Sequence, residues 1–385
     1  MLFLTKYIKG IVVELVPNDY LKAEFKKNTD GCRKIYNEVL GRYYAKYGKK
    51  YKKAPTFTLL NNIMMETKKE LLYLQDVEST SIQQAVRDLL TAFTNSLKNP
   101  RSNIPVFKRK YKARPSFRQT IPPNKRIINK NILTLRIYGD IKFKTSKEYE
   151  NILNDPKTKL NNITVFYDGV KYYASINIET TDVPEQFKLT GKHIGCDINS
   201  NKNGWLVTSD KQKEHFNVDY QNQVIRHINQ LMSHCRKGSR RWKKLKTRLQ
   251  KNGYNKRTNI LKDYIEKLSY NLVKEYDTIV FEKNYATIKI LIGGEQNMIF
   301  PLSEFIKRLK DKFKLHKPDA KGVVFVDAKN TSKTCHHCGH IHKDLDVKTR
   351  NFVCQKCGKL LDRDVNAAIN ILNRWFDGDS LDNTQ

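Results

Sequence analysis

The sequence predicts a multidomain α+β chain. A β unit is split by a helical segment and followed by a second unit in which strands and helices alternate, with a small cysteine-rich ribbon near its C-terminal end. Three observations carry this. Strand-like sequence at the N-terminus gives way to helical periodicity up to about residue 98 and returns near residue 115. From about residue 190, short apolar strands bearing single acids are separated by amphipathic helices. Two Cys-x2-Cys pairs, fifteen residues apart, lie between the last core strand and the last helix.

At 385 residues the chain is long enough for two or three domains, each with its own core. A hydrophobic fraction of 39%, with 20 Tyr and 17 Phe to pack, places it among globular proteins. Lys and Arg number 72 against 39 Asp and Glu, a net charge of +33, and the pI is about 9.7. Such an excess resists compaction unless a polyanion neutralises it, and nucleic acid is the usual polyanion. AT-rich coding would raise Lys alone and leaves the Arg clusters unexplained. The first residues, MLFLTKYIKGIVVELV, carry Lys6 and Lys9 inside their apolar run. Neither a signal-peptide core nor a transmembrane span fits, so a cytoplasmic location is expected, in a prokaryote, or a nuclear one in a eukaryote. Of seven cysteines, four stand in the Cys-x2-Cys pairs, as expected for metal binding in a reducing compartment. Cys32, Cys196 and Cys235 show no pairing pattern.

The elements follow in order. YIKGIVVELV is a strand closed by Pro17-Asn18-Asp19. In STSIQQAVRDLLTAFTNSL, Ile82, Val86, Leu89, Leu90, Phe93 and Leu97 recur at three- and four-residue spacing on one helix face, with Thr80 or Ser81 as the expected cap. Asn99-Pro100 ends it. Residues 104–130 alternate basic residues with aromatics, and their prolines preclude a helix. The strands ILTLRIYG and ITVFYDGVKYYASINIE follow, the second a hairpin turning at Asp168-Gly169. Residues 1–18 and 115–188 are thus expected as two parts of one β domain, 19–114 as a helical lobe, and 189–385 as a second unit with the ribbon, 332–360, inserted.

The second unit opens on HIGCDINSNKNGWLVTSD, a strand bearing Asp197, a turn and a second strand. Next come helical sequence and the run RKGSRRWKKLKTRLQK, with nine Lys/Arg and no acid. Leu261, Ile265, Leu268 and Leu272 line a further helix, TIVF is a buried strand delivering Glu282, and SEFIKRLKDKF is a helix leading to the strand VVFVDA. Asp364 opens the last helix. Strand-Asp, hairpin, helix, strand-Glu, helix, strand, helix-Asp is the element order of an RNase H-like nuclease core. Phosphodiester hydrolysis by two divalent metals needs carboxylates converging on ions about 4 Å apart, and hard oxygen ligands suit magnesium or manganese. Each acid also has an ordinary explanation: Asp197 as a turn acid, Glu282 as a strand-end charge, Asp364 as a helix cap. Their order on the correct element types is what joins them.

Cys335-x2-Cys338 and Cys354-x2-Cys357 match a four-thiolate zinc site, with Gly339 and Gly358 allowing the knuckle turns. Four thiolates leave no open position, so one structural zinc is expected. His336, His337, His340 and His342 crowd the first knuckle, and one of them replacing a thiolate is the alternative. The ribbon is expected either to guide a substrate strand or only to fix the start of the helix carrying Asp364. Lys108, Arg109, Lys110, Lys112, Arg114 and Arg118, with Tyr111 and Phe117, combine cations and aromatics as phosphate tracking and base stacking require. Arg240, Arg241, Lys243 and Lys244 with Trp242 do the same. The alternative for both is a solvated charged face.

GCDINSNKNGW, TIVFEKN and CHHCG…CQKCG…LDRDVNAAINIL resemble the three RuvC motifs of the TnpB (OrfB) proteins of bacterial insertion sequences, with the ribbon between the second and third. The resemblance reaches back through TSKTC and IPVFKRKYKARPSF, and is strongest after residue 190. The same core occurs in miniature type V CRISPR nucleases and in Fanzor proteins. The resemblance implies an RuvC nuclease domain preceded by a wedge-type β-barrel that a helical recognition lobe interrupts. It implies Asp197, Glu282 and Asp364 as the catalytic, magnesium-holding acids, and a guide RNA and double-stranded target DNA, read beside a short adjacent motif, as partners. Asp362 lies in the same run, but the family's acid is the one before x-Asn-Ala-Ala. Asn199-Ser200 follow the Asp197 strand where relatives commonly have Gly. Relatives that have lost the acids act as RNA-guided repressors; this chain has all three. A compact type V CRISPR effector, a non-cutting repressor and a strand-transferring transposase are the rival readings. A monomer is the expected state.

Overall fold

The computed structural model describes residues 7–51, 53–98, 103–110, 114–122, 127–180, 184–199, 204–283, 301–346 and 349–378. Two compact units divide the chain, Met1–Val183 and Pro184–Gln385. Among the described residues no helix is long and apolar enough to cross a membrane.

The first unit contains β1 (Tyr7–Leu15), α1 (Asp19–Tyr47), α2 (Phe57–Glu70), a 3-10 turn (Leu72–Asp76) and α3 (Ser79–Lys98). Then come β2 (Ser116–Thr120), β3 (Ile128–Asn129), β4 (Ile132–Leu135), β5 (Gly139–Lys144), α4 (Lys147–Asn154), β6 (Lys159–Tyr167) and β7 (Tyr172–Thr180). The strands form one sheet in the order β2-β6-β7-β1-β5-β4-β3. Alternation in β1 sends Ile11, Val13 and Leu15 inward, and α1 and α3 bury Phe25, Ile35, Val86 and Phe93 in the same core. Sheet and helices therefore share one core. Two local expectations are corrected. The α3 N-terminus is capped not by Thr80 or Ser81 but by the Glu78 carboxylate, which accepts their backbone N–H groups. Leu97 is 40% exposed, because α3 runs past the edge of that core.

The second unit contains β8 (His193–Ile198), β9 (Leu206–Thr208), β10 (Lys213–Glu214), α5 (Asp219–Ser233), α6 (Arg240–Arg248) and a π-helical turn (Leu249–Asn255). It continues with α7 (Lys256–Glu275), β11 (Thr278–Glu282), α8 (Leu302–His316), β12 (Gly322–Val326), β13 (Asn351–Val353), β14 (Leu360–Asp362) and α9 (Arg363–Phe376). Its sheet runs β10-β9-β8-β11-β12, with β8, β11 and β12 parallel and β9 and β10 antiparallel. The start of β11 is held by a buried ion pair, Lys317 Nζ lying 2.7 Å from Asp277 Oδ1. Asp277 also accepts the N–H groups of Thr190 and Gly191, at 2.8 and 2.6 Å from Oδ2. Burial alone would raise this carboxyl, but Lys317 and the two amides outweigh it and hold it at about 2. The segment leading into β8, the end of α8 and the start of β11 are thereby fastened at one point.

Candidate active site

Strand alternation brings Asp197 and Glu282 to one face. In β8, Ile194, Cys196 and Ile198 enter the main core of the unit, so Gly195 and Asp197 take the opposite side. In β11, Ile279 and Phe281 join that core, while Val280 packs with Val326 and with Ile371 of α9. Glu282 follows Val280 to the α9 side. The parallel register sets Phe281 against Cys196, making the two acids neighbours on adjacent strands. Helix α9 lies directly on this face because Gly195 has no side chain. A Cβ there would stand 2.1 Å from the Ala368 carbonyl oxygen.

Asp364 arrives in the first turn of α9. It is not the cap. That role belongs to Asp362, whose Oδ1 accepts from the N–H groups of Asp364 and Val365 at 3.0 and 3.1 Å, while Lys213 donates to its Oδ2 at 2.6 Å. Against the effect of burial, Lys213 and the amides hold Asp362 below its ordinary value.

The electrostatics of the three acids differ. Asp197 is 8% exposed, and its carboxyl is pushed up to about 8, first by burial and then by the charges of Glu282 and Asp364. Asn199 Nδ2, 3.2 Å away, opposes this weakly. Burial also raises Glu282, with the Thr331 hydroxyl and Arg374 opposing and Asp327 adding to the rise. Full ionisation of this cluster is therefore costly without an added cation. Among the described residues Arg350 Nη1 lies 3.2 and 3.0 Å from the two oxygens of Asp364, while Arg363 and Arg374 act on Asp197 and Glu282 through their charge. The donor set, all hard oxygens short of countercharge, fits a divalent ion of the magnesium class. Among the described residues the cysteine group is the one set of three or more metal-ligating side chains whose ligand atoms all lie within 4.8 Å of one another.

In that group Cys335, Cys338, Cys354 and Cys357 converge. The Sγ atoms of Cys335 and Cys357 are 3.8 Å apart, and those of Cys338 and Cys354 3.6 Å. A tetrahedron with thiolate bonds of about 2.3 Å has edges of about 3.8 Å, so the four can hold one metal ion. Burial disfavours a Cys354 thiolate, yet the amides of Cys357 and Lys356 and the His342 ring overcome it and bring this thiol down to about 5. The knuckle histidines stand beside the thiolate set. His336 Nδ1 lies 2.9 Å from Asn366 Oδ1, and the buried His342 ring packs edge-on to Phe352, with centroids 5.1 Å apart.

The basic residues fall into two groups. Lys108, Lys110, Arg114 and Arg118 line a cavity of about 260 Å³ in the first unit, together with Arg33 and Asp88. Arg109 is exposed nearby, and Lys112 lies outside the described residues, as does Tyr111. Lys108 is half-buried with its ammonium 3.9 Å from the Tyr36 ring centroid, and burial lowers its pKa. Phe117 is a core residue, not an exposed stacking surface. Arg240, Arg241, Lys243 and Lys244 are all exposed on α6, whose inner side shares a small core of Ile225, Ile228 and Leu249 with α5.

Thr331, Arg350, Asn366, Asn370 and Arg374 were not singled out from sequence. Their partners lie across space, apart from one local signal: Asn366, Asn370 and Arg374 recur every four residues on a helix that is otherwise mostly apolar after its first turn.

Comparison with known proteins matches residues 303–371 to the Cas12f1-like TNB domain family. The chain is 28% identical over 366 residues to a Streptomyces pristinaespiralis protein named "Putative RNA-guided DNA endonuclease", covering 92% of this chain and 86% of that protein. It is 34% identical over 176 residues to the TnpB-like protein L79 of Acanthamoeba polyphaga mimivirus, across 43% of this chain and 31% of that one. Among solved structures, the Cas12f1 chain of a Cas12f1–sgRNA–target DNA complex superposes with a TM-score of 0.56 at 17% identity, covering 92% of this chain and 83% of that chain, and shares its multidomain α+β fold. The resemblance read from the motifs is borne out.

Proposed function

We propose that this protein is an RNA-guided, divalent-metal-dependent DNA endonuclease of the TnpB type. It cuts target DNA beside a short adjacent motif with a single RuvC site. One observation carries the reading: Asp197, Glu282 and Asp364, far apart in sequence, meet where two parallel strands and a helix converge, and their mutual repulsion helps lift Asp197 to about 8. Its sequence kinship to proteins named RNA-guided DNA endonucleases supports the same activity. Magnesium or manganese ions held by the three acids would supply a nucleophilic water at neutral pH and charge stabilisation for the leaving oxygen.

The chain's own part is positional. Asp197 is fixed by the strand and the Asn199 amide, Glu282 by the neighbouring strand, and Asp364 by a helix capped through Asp362 and Lys213. Arg350 neutralises Asp364 until a metal takes that charge. Zinc in the four cysteines is structural. A guide RNA supplies much of the polyanion that offsets +33, and the two basic groups, around Lys110 and along α6, contact nucleic acid backbones.

The test is to purify the protein from cells holding its own locus and sequence the RNA that accompanies it. A single defined RNA with a variable end is expected. Absence of any specific RNA would remove the guide from the account and leave only an unguided nuclease.

A further inference from the structure

The connection between β12 and the first metal knuckle is gripped from one side of α9. Asn370 Nδ2 donates to the carbonyl oxygens of Thr331 and Thr334 at 2.8 and 2.6 Å, and Asn366 Nδ2 to that of Thr334 at 2.7 Å. Arg374 donates to the carbonyls of Asp327 and Lys329. Residues 366, 370 and 374 lie one above another at helical spacing, so a single face of α9 holds four carbonyls of the segment 327–334. Asn366 and Asn370 are buried, where amides used in this way fix a unique loop conformation. The far end of the segment is tied by Cys335, a metal ligand that directly follows Thr334.

The product of this grip is the placement of one hydroxyl. Thr331 is 3% exposed, and its Oγ1 lies 3.1 Å from Glu282 Oε2 and 3.2 Å from the Ala328 carbonyl. It has one proton to give, and an ionised carboxylate is the stronger acceptor. We infer that Thr331 is a positioning residue for the nuclease site: its hydroxyl fixes one oxygen of Glu282 so that the other faces Asp197, and α9 with the metal ribbon keeps it there. The helix that carries Asp364 thus orients a second acid through the loop it holds. Outer partners of this kind set the orientation of metal ligands, and their loss typically weakens metal binding about 10–100-fold. The inference rests on the nuclease reading above.

The experiment uses Fe²⁺ with ascorbate and peroxide on the full-length protein, reading protein fragments cut beside the three acids. Thr331→Val is expected to raise the Fe²⁺ needed for half-maximal fragmentation about tenfold. Thr331→Ser, which keeps the hydroxyl, should match the parent, and zinc per chain should be unchanged in both. A purely structural threonine would instead change zinc content or stability and leave half-saturation alone. If Thr331→Val does not retain its zinc, Thr331→Ala takes its place in the same comparison. Saturation of the Thr331 variant at the parental Fe²⁺ concentration, with Glu282→Gln weakened, would overturn the inference and spare the nuclease reading. Parental saturation in Glu282→Gln would overturn both.

Discussion

Asp197→Asn is expected to abolish target cutting, by at least about 10³-fold, while guide and target stay bound. The loss of a metal ligand exceeds the 10²–10³ typical of removing one oriented donor from an active site. The same substitution is expected to stabilise the metal-free protein, in a pH-dependent way. Asp197 ionises near 3.8 when unperturbed and near 8 in the fold. Well below pH 3.8 the carboxyl is protonated in both folded and unfolded chains and contributes no difference. As pH rises toward 8 the unfolded chain releases its proton while the folded one retains it, so the native state loses stability across that window. Asparagine has no proton to release. The melting-temperature gain of Asp197→Asn should therefore be smallest at pH 4 and grow up to pH 8, measured in EDTA kept below the level that strips zinc. A gain independent of pH would mean that Asp197 is not held protonated by its neighbours. Activity and stability are opposed at this position, as expected where like charges are gathered for a metal.

The second large effect concerns the ribbon. Its core consists of Phe352, Leu361, Cys335 and Cys354, with a few half-buried neighbours, which is too little to fold without a crosslink or a metal. Structural zinc supplies about 10–16 kcal/mol in comparable peptides, as large as the whole stability of many domains. Cys335→Ser combined with Cys354→Ser is expected to take zinc from one per chain to none and to expose the amides of residues 331–362 to exchange. Cutting should fail as well, because the Arg363 N–H bonds the Arg350 carbonyl of the ribbon at 2.8 Å, and His336 ties the first knuckle to Asn366. Hydrogen exchange with zinc analysis checks this. Retained protection and cutting in a zinc-free protein would show that the ribbon is dispensable. Those two contacts tie the ribbon to the start of α9, as a ribbon that fixes the helix start requires.

Legibility followed the range of the interaction. The acids could be read because period-two alternation and element order are local patterns: Gly195 and Asp197 had to share a face if Ile194 and Cys196 were buried. The cysteines could be read from spacing alone. The Glu78 cap was missed because a Glu at this position competes with the more usual Thr80 and Ser81, and only the fold shows which carboxylate reaches the free amides. Phe117 looked like a stacking residue beside its cations, yet it faces inward as one of two buried residues of β2. Thr331 and Arg350 were out of reach for a different reason. Each acts on a carboxylate 49 or 14 positions away, and no periodicity encodes such a pair. Asn366, Asn370 and Arg374 left a trace, a polar stripe in an apolar helix, whose meaning required the loop opposite.

The most direct measurement is a cleavage assay with two plasmids that differ only in the segment matched to the variable end of the bound RNA, run with magnesium and with the guide exchanged between them. Each guide is expected to direct cutting of its own plasmid alone, manganese to substitute for magnesium, and Asp197→Asn to cut neither. Cutting of both plasmids whichever guide is bound, or equal cutting by Asp197→Asn, would contradict RNA-guided cutting at this site.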